Sequence, residues 1–301
     1  MHGPVLVIGG SGFLGQHVVR LLSEADRPVY ATRHATRETP DGEHIRWISC
    51  DLTSATATEH WPTNCETVVF LAQGRKHRQF PEGASEVFGV NVEGIFRSVE
   101  YARRAGAKRF VYVSTGSVYG PGTRPLAETD PIDIASANRS FYPATKLAGE
   151  ILLQPYRRLL PIVTLRLFVP YGPGQPADML MPQLAAKVQS GQPIFLNGAE
   201  GLWANPVYAE DVAETIRRAM SLNESATLNV AGPEPVSLRS IGQTLSKVLA
   251  RPVEFASQEG EPPYLVGDVS ALKKTLGWAP PTGLEAGLRR WLGSRIATAR
   301  A

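Results

Sequence analysis

The chain has 301 residues, enough for one large domain or for a domain with a smaller lobe. Apolar residues make up 43% and charged residues 20%, and a net charge of +3 with no Lys/Arg block gives no case for nucleic acid. No stretch approaches ~18 consecutive apolar residues, so no membrane span is expected, and the apolar run at 5–8 is too short for a signal segment, which leaves a cytoplasmic setting as the expectation.

Residues 4–8 form a continuous apolar, β-branched run, the pattern of a strand buried on both faces. Gly9-Gly10-Ser11-Gly12-Phe13-Leu14-Gly15 follows at once, and residues 16–24 read as a helix with Val18, Val19, Leu21 and Leu22 inside. Strand, glycine turn and helix in that order suit a dinucleotide. Backbone without Cβ can approach a pyrophosphate, whose charge meets the free N–H groups and positive dipole of the helix start. The glycines fit G-x-G-x-x-G (Gly10, Gly12, Gly15) or G-x-x-G-x-x-G (Gly9, Gly12, Gly15). A tight turn that needs glycine only for packing is the competing explanation.

Residues 28–32 are the next strand. Where an NAD site wants an acid for the ribose hydroxyls, this chain has Thr32, Arg33 and, a little later, Arg37. A guanidinium suits a 2′-phosphate, so NADP(H) is favoured and NAD(H) is the alternative. Residues 44–49 form a third strand ending in Cys50-Asp51-Leu52. Asp51 at that edge can accept from an adenine amino group, or cap a following helix. Residues 67–72 are the fourth strand. It leads through Leu71, Ala72, Gln73 and Gly74 into Arg75-Lys76-His77-Arg78, a charge cluster that reads as a solvated loop leaving a pocket-facing strand end.

Residues 83–106 are mostly one long helix containing Asn91. Residues 109–113 are the fifth strand, running into Ser114-Thr115-Gly116-Ser117, hydroxyls that can position a substrate oxygen or simply form a turn. A loop rich in Pro and Gly precedes Tyr142-Pro143-Ala144-Thr145-Lys146. On a helix Tyr142 and Lys146 share one face, and Pro143 is acceptable in the first turn. A phenol and an ammonium held together can do acid–base work. Residues 162–168 are the sixth strand. Beyond 171–174 the rhythm changes, with helices near 181–190, 210–220, 238–250 and 283–296 and short strands at 194–196 and 227–230.

This alternation predicts an α/β fold, a Rossmann-like doubly wound parallel sheet with a smaller C-terminal substrate-binding lobe. The expected division gives 1–167 and 203–231 to the dinucleotide-binding domain, and 168–202 and 232–301 to the lobe. The two cysteines, Cys50 and Cys65, read as buried thiols, and the six histidines show no ligand spacing, so no metal is expected.

The glycine loop, Asp51-Leu52, Leu71-Ala72, Asn91, Thr115 and the Tyr142–Lys146 pair stand in one order. In that order the chain resembles the extended short-chain dehydrogenase/reductase family, the NAD-dependent epimerase/dehydratase group that acts mainly on nucleotide sugars. The resemblance covers nearly the whole chain. Residues 166–175, Arg-Leu-Phe-Val-Pro-Tyr-Gly-Pro-Gly-Gln, resemble the family's R-x-x-N-V-Y-G-P-G-Q, and Val207-Tyr208-Ala209-Glu210-Asp211-Val212-Ala213 resembles its V-Y-V-D-D-V-A. Leu228-Asn229-Val230-Ala231-Gly232 and Asp268 with Leu276-Gly277-Trp278 match its C-terminal pattern.

The resemblance implies roles. Tyr142 is the acid–base residue, with Lys146, the oxidised nicotinamide and the helix start favouring its phenolate. Lys146 also bonds the nicotinamide ribose, and Thr115 orients the substrate oxygen. The implied cofactor contacts are Gly9, Gly12, Phe13, Leu14, Gly15, Arg33, Asp51, Leu52, Leu71, Ala72, Gln73, Asn91, Val113, Tyr142, Lys146 and Phe168. Substrate contacts fall on Thr115, Ser117, Tyr142 and Val169.

The departures matter as much. Gly116 and Ser117 stand where the family's dehydratases carry an acidic pair, so dehydration is not expected. Val169 replaces the Asn of N-V-Y-G-P, and Ala204 stands roughly where an Arg commonly holds the diphosphate. Losing an amide and a guanidinium removes polar contacts to a nucleotide; the Arg75–Arg78 cluster is the candidate replacement. Phe70, where the family often has His, reads as packing. The expected function is an NAD(P)-dependent epimerase or ketoreductase of a sugar, foremost a nucleotide sugar. The alternatives are an NADP-dependent reductase or dehydrogenase of a non-nucleotide hydroxyl or ketone, and a non-catalytic NADP-binding sensor. The expected partners are a small-molecule substrate and a second copy of the chain, paired through helices 83–106 and 142–156 as is frequent in the family.

Overall fold

The computed structural model describes residues 3–25, 27–34, 42–132, 134 and 140–298, so Arg37 lies outside the described residues. The chain divides into two units. Unit 1 comprises Met1–Val118, Ile132–Arg166 and Ala213–Leu228, and unit 2 comprises Tyr119–Pro131, Leu167–Val212 and Asn229–Ala301.

The first elements are β1 (Val5–Ile8), α1 (Phe13–Glu24), β2 (Val29–Arg33), β3 (Ile45–Ser49) and β4 (Thr67–Phe70). Then come α2 (Ala84–Phe88), a π-helical turn at Gly89–Glu93, α3 (Gly94–Arg104), β5 (Arg109–Thr115), α4 (Phe141–Leu153) and β6 (Ile162–Leu167). The remainder is β7 (Pro170–Tyr171), α5 (Leu180–Ser190), β8 (Ile194–Asn197), β9 (Trp203–Ala204), β10 (Val207–Tyr208), α6 (Ala209–Ala219) and β11 (Ala226–Val230). It closes with β12 (Val236–Ser237), α7 (Leu238–Leu249), β13 (Phe255–Gln258), β14 (Tyr264–Leu265), α8 (Ser270–Leu276) and α9 (Leu284–Thr298).

The apolar runs in β1 and β4 are buried along their whole length. They lie inside a seven-stranded sheet of order β11-β6-β5-β4-β1-β2-β3. β1 pairs in parallel with both β2 and β4, with Ile8 opposite Phe70, and β4 pairs in parallel with β5. The chain direction of winding therefore reverses beside β1, which makes the carboxyl ends of β1 and β4 the switch point where such sheets bind ligands. Phe70 is fully buried against Tyr112, in keeping with a packing role. Cys65 is buried and Cys50 half-buried, both as free thiols.

Unit 2 packs a second core around Tyr171, whose ring meets Tyr208 at 5.6 Å and Trp291 at 6.4 Å between centroids. Leu184, Ile194, Ile241, Leu245 and Leu288 complete that core. Its small sheets pair β10 with β7, β9 with both β12 and β14, and β13 with β8. Most of these strands are two residues long, too short for any periodic signal in sequence.

Two expectations need correction. α1 begins at Phe13, three residues earlier than read, because Gly12 already acts as its N-cap. No helix follows Asp51, since residues 52–60 form turns. Asp51 Oδ1 instead accepts from the Thr53 N–H at 2.9 Å and the Thr53 hydroxyl at 2.7 Å, an Asx turn that competes with helix initiation. Among the described residues no helix is long and apolar enough to cross a membrane.

Candidate active site

The glycine loop is built for close backbone approach. Gly9 has φ +87°, which a side chain strains to adopt, and a Cβ there would meet Ala72 N at 2.7 Å. A Cβ on Gly15 would meet Gly9 O at 2.1 Å. Buried Thr32 fixes the loop from the next strand, its Oγ1 accepting from Gly9 N–H at 2.9 Å and its carbonyl from Ser11 N–H at 3.3 Å. The first turn of α1 holds no acid, and its N-cap Gly12 offers no side-chain bond. The N–H groups at that helix start are thus left for a ligand anion. A pyrophosphate fits this cradle, so the residues present suit the dinucleotide that the sequence implies.

The neighbouring strand ends are tied together by one amide. Asn91, fully buried in the π-helical turn, accepts from Gly74 N–H at 3.0 Å and donates from Nδ2 to Thr145 Oγ1 at 3.0 Å. Thr145 in turn donates to the Tyr142 carbonyl at 2.9 Å. Both ends of the Asn91 side chain are therefore occupied by protein, and its work here is to position α4. π-turns inside helices recur at functional sites.

On α4, Tyr142, Lys146 and Glu150 follow at four-residue intervals and so share a face. Lys146 is buried and donates from Nζ to Val113 O at 3.0 Å. Burial pushes its ammonium down to about 8, against the opposing pull of the Glu150 carboxylate. Glu150 is itself buried. Arg166 grips it through Nη2 at 2.6 Å and Nε at 3.1 Å, and Ser114 donates to it at 2.5 Å. Half-buried Tyr142 is pushed up to about 12 by burial, and its hydrogen bond with Thr115 pulls the other way. In the chain without a dinucleotide, desolvation is the largest effect on this phenol.

The remaining predicted residues divide. Thr115 ends β5 and accepts from Ser117 N–H at 3.2 Å, so Thr115, Ser117, Tyr142, Lys146 and Val113 come together. Leu71 N–H donates to Ile8 O at 2.8 Å, which sets Leu71 and Ala72 beside the loop. Phe13, Leu14 and Gln73 are half-buried. Leu52 is buried in the core, and its carbonyl takes a bond from Arg97 at 3.0 Å. Arg33 is half-buried at the end of β2. Phe168 and Val169 belong to unit 2, where Phe168 stacks on Tyr119. Val169 has φ +44°, a left-handed conformation that suits Asn, the family's residue there, and strains a β-branched side chain.

Sequence reading missed Glu150, although its spacing from Lys146 repeats the spacing from Tyr142 to Lys146. It also gave His77 no individual role. That ring packs on the Tyr142 ring at 5.4 Å between centroids.

The profile of the NAD dependent epimerase/dehydratase family matches residues 5–231. A probable UDP-glucuronate 4-epimerase of Rhizobium meliloti (strain 1021) is 25% identical, over 95% of this chain and 95% of its own length. A dTDP-4-dehydro-6-deoxy-D-allose reductase of Streptomyces bikiniensis is 26% identical, over 95% of each chain. Among solved structures, MoeE5 in complex with UDP-glucuronic acid and NAD superposes with a TM-score of 0.84 at 29% identity, over 98% of this chain and 100% of that one. With the profile spanning the glycine loop, Thr115, Tyr142 and Lys146, the chain belongs to the NAD dependent epimerase/dehydratase family and is an enzyme of the extended short-chain dehydrogenase/reductase type.

Proposed function

We propose that the protein is a sugar epimerase that acts on a nucleoside diphosphate sugar through a nicotinamide dinucleotide. One observation carries this reading. Tyr142 and Lys146 on α4 meet Thr115 and Val113 on β5, in the same sheet that carries the glycine cradle at the end of β1.

A dinucleotide whose pyrophosphate is held by that cradle would supply, through its nicotinamide, acceptance and return of a hydride. The chain's own residues handle the proton. Tyr142 takes the proton of a ring hydroxyl as the carbon is oxidised, and gives it back when the ketone is reduced on its other face. A phenol pushed up to about 12 is protonated at neutral pH, so a proton is in place for the donating half of that cycle. For the accepting half it needs a nearby positive charge, which Lys146 supplies. Thr115 orients the substrate oxygen. Gly116 and Ser117 offer no acid to a leaving hydroxyl, so dehydration is not part of the proposal. Unit 2 is proposed as the substrate-binding lobe.

UDP-glucuronic acid is the first substrate to test, because the Rhizobium relative is named for it and MoeE5 was solved with it bound. The assay incubates the protein with UDP-glucuronic acid, UDP-glucose and 4-keto nucleotide sugars while following reduced nicotinamide. Formation of an isomer with no net redox change supports epimerisation. Net consumption of NADPH with a 4-keto sugar supports a ketoreductase, the second reading, favoured by the Streptomyces relative. No conversion of any sugar overturns both.

The cofactor is proposed to be NADP(H), on Arg33 where NAD sites carry an acid. NAD(H) is the second reading, favoured by the MoeE5 complex. Arg33→Asp should abolish a preference for NADPH; an unchanged preference argues against the assignment. The assembly is proposed to be a homodimer through α4 and the 83–106 helical segment, which holds α2 and α3. Phe88 is 47% exposed, Phe96 50% and Ile151 60%, apolar area that a second copy would cover. Light scattering should return twice the chain mass, and a monomer overturns it. The setting is proposed to be cytoplasmic, where two unpaired thiols are at home.

A further inference from the structure

The run Arg75-Lys76-His77-Arg78 reads from composition as a solvated loop, and the side chains of Arg75, Lys76 and Arg78 are indeed exposed. His77 is not. It is half-buried, with its imidazole against the Tyr142 ring at 5.4 Å and an interplanar angle of 55°. Its Nδ1 lies 3.2 Å from Gly74 O. The loop is also anchored along its length. Gly74 N–H is held by Asn91, and the N–H groups of Arg75 and Lys76 donate to the two carboxylate oxygens of Glu86 at 2.9 and 3.1 Å. At its far end Phe80 packs on Phe141, the residue before Tyr142, at 5.2 Å between centroids.

These ties close a circuit. Asn91 holds Gly74, which holds His77, which packs on Tyr142. Asn91 also holds Thr145, which holds the Tyr142 carbonyl. A donor role for Nδ1 towards the Gly74 carbonyl leaves Nε2 to take the second proton. That proton would set a positive charge beside the phenol ring, and a neighbouring cation favours phenolate.

We propose that His77 is a positioning residue for Tyr142: it fixes the phenol ring by packing on it, and the charge on its imidazole sets how readily the phenol releases its proton. The inference rests on the reading of Tyr142 as the acid–base residue. Protonated His77 raises the share of phenolate, the form that can take the substrate's proton, and neutral His77 leaves the phenol protonated. The groups around it are the Tyr142 phenol from α4, the cations Arg75, Lys76 and Arg78 on its own loop, and Glu86 from α2, whose carboxylate binds that loop.

The test is an NMR titration of the whole protein carrying tyrosine labelled at the ring carbon bearing the hydroxyl. The Tyr142 signal is assigned by its loss in Tyr142→Phe. In the parent, that signal should move with pH over the range in which the protein stays folded. In His77→Phe, which keeps an aromatic ring but no titratable nitrogen, it should stay flat. A flat signal in the parent, or the same movement in His77→Phe, overturns the proposal. If His77→Phe does not fold by circular dichroism, His77→Gln takes its place, and the parent's titration stands as a test by itself. Turnover retained in Tyr142→Phe would instead sink the acid–base reading, without altering what the titration says about the two rings.

Discussion

In unit 1 the residues that follow the family pattern bring ionisable groups together out of water. Lys146, Glu150 and Arg166 are all buried, and Ser114 and the Val113 carbonyl complete their bonding. In unit 2 residues that follow the same pattern do architectural work. Tyr171 and Tyr208 pack ring against ring. Asp211 accepts from the Thr282 N–H and hydroxyl at 2.9 and 3.0 Å, and Asn229 receives the Tyr119 hydroxyl while donating to Leu126 O. A motif match therefore does not say whether a residue reacts or merely supports. Burial shifts protonation in both units, lowering Lys146 to about 8 and raising Asp211, so the distinction lies in the surroundings: Lys146 stands one helical turn from Tyr142, whereas Asp211 is bonded to Thr282.

The largest effect that would sharpen this contrast is at Glu150. Glu150→Gln takes the counter-charge from buried Arg166 and should destabilise the fold by about 3 kcal/mol, read by urea unfolding. The variant should also lower the Lys146 ammonium further, because the Glu150 carboxylate is what holds it up. A variant as stable as the parent would contradict the buried pair. The sign of the pH dependence follows from Lys146 itself. Its amine binds a proton less firmly in the folded chain, at about 8, than in the unfolded chain, at ~10.4. The unfolded state thus holds more protons in that window, and stability should rise as pH goes from 8 towards 10. Comparing parent and Lys146→Met by urea unfolding across that range isolates the contribution, and equal slopes would refute it.

In unit 2 the expected effects are smaller and fall on stability alone. Asn229→Ala removes an amide with several buried partners and should cost about 2 kcal/mol, while turnover per folded molecule stays within threefold. A specific loss of turnover would mean that unit 2 motifs also take part in the chemistry. Smaller still is Val169→Asn. Asn tolerates the left-handed backbone that Val169 adopts, so the change should stabilise by about 1 kcal/mol, visible as a raised midpoint of thermal unfolding. A lowered midpoint would show that the packing of Val169 outweighs its backbone strain.

What the sequence made legible follows the same divide. The glycine loop, Thr115, Tyr142 and Lys146 were readable because strand–turn–helix order and four-residue spacing are local signals; the loop follows β1, and α4 sets Lys146 against β5 of the same sheet. Glu150 carried the same spacing signal one turn further on, but a lone Glu on a helix reads as solvated until Arg166 is seen to close on it. His77 was hidden by its neighbours, since a run of four basic side chains has no pattern to say which one turns inward. The two-residue strands of unit 2 carry no period, and the strain at Val169 is a backbone angle that no side-chain pattern encodes. Asp51 read as an adenine acceptor or a helix cap, and a turn closed by its bonds to Thr53 stands where that helix was expected.

The most direct measurement of the central claim is turnover of UDP-glucuronic acid by Tyr142→Phe beside the parent, with binding of the nicotinamide dinucleotide measured on the same samples. Removing one hydroxyl should lower turnover by a factor on the order of a thousand, while dinucleotide affinity stays within threefold. Turnover close to the parent's, with the dinucleotide still bound, would contradict the assignment of Tyr142 as the residue that handles the proton.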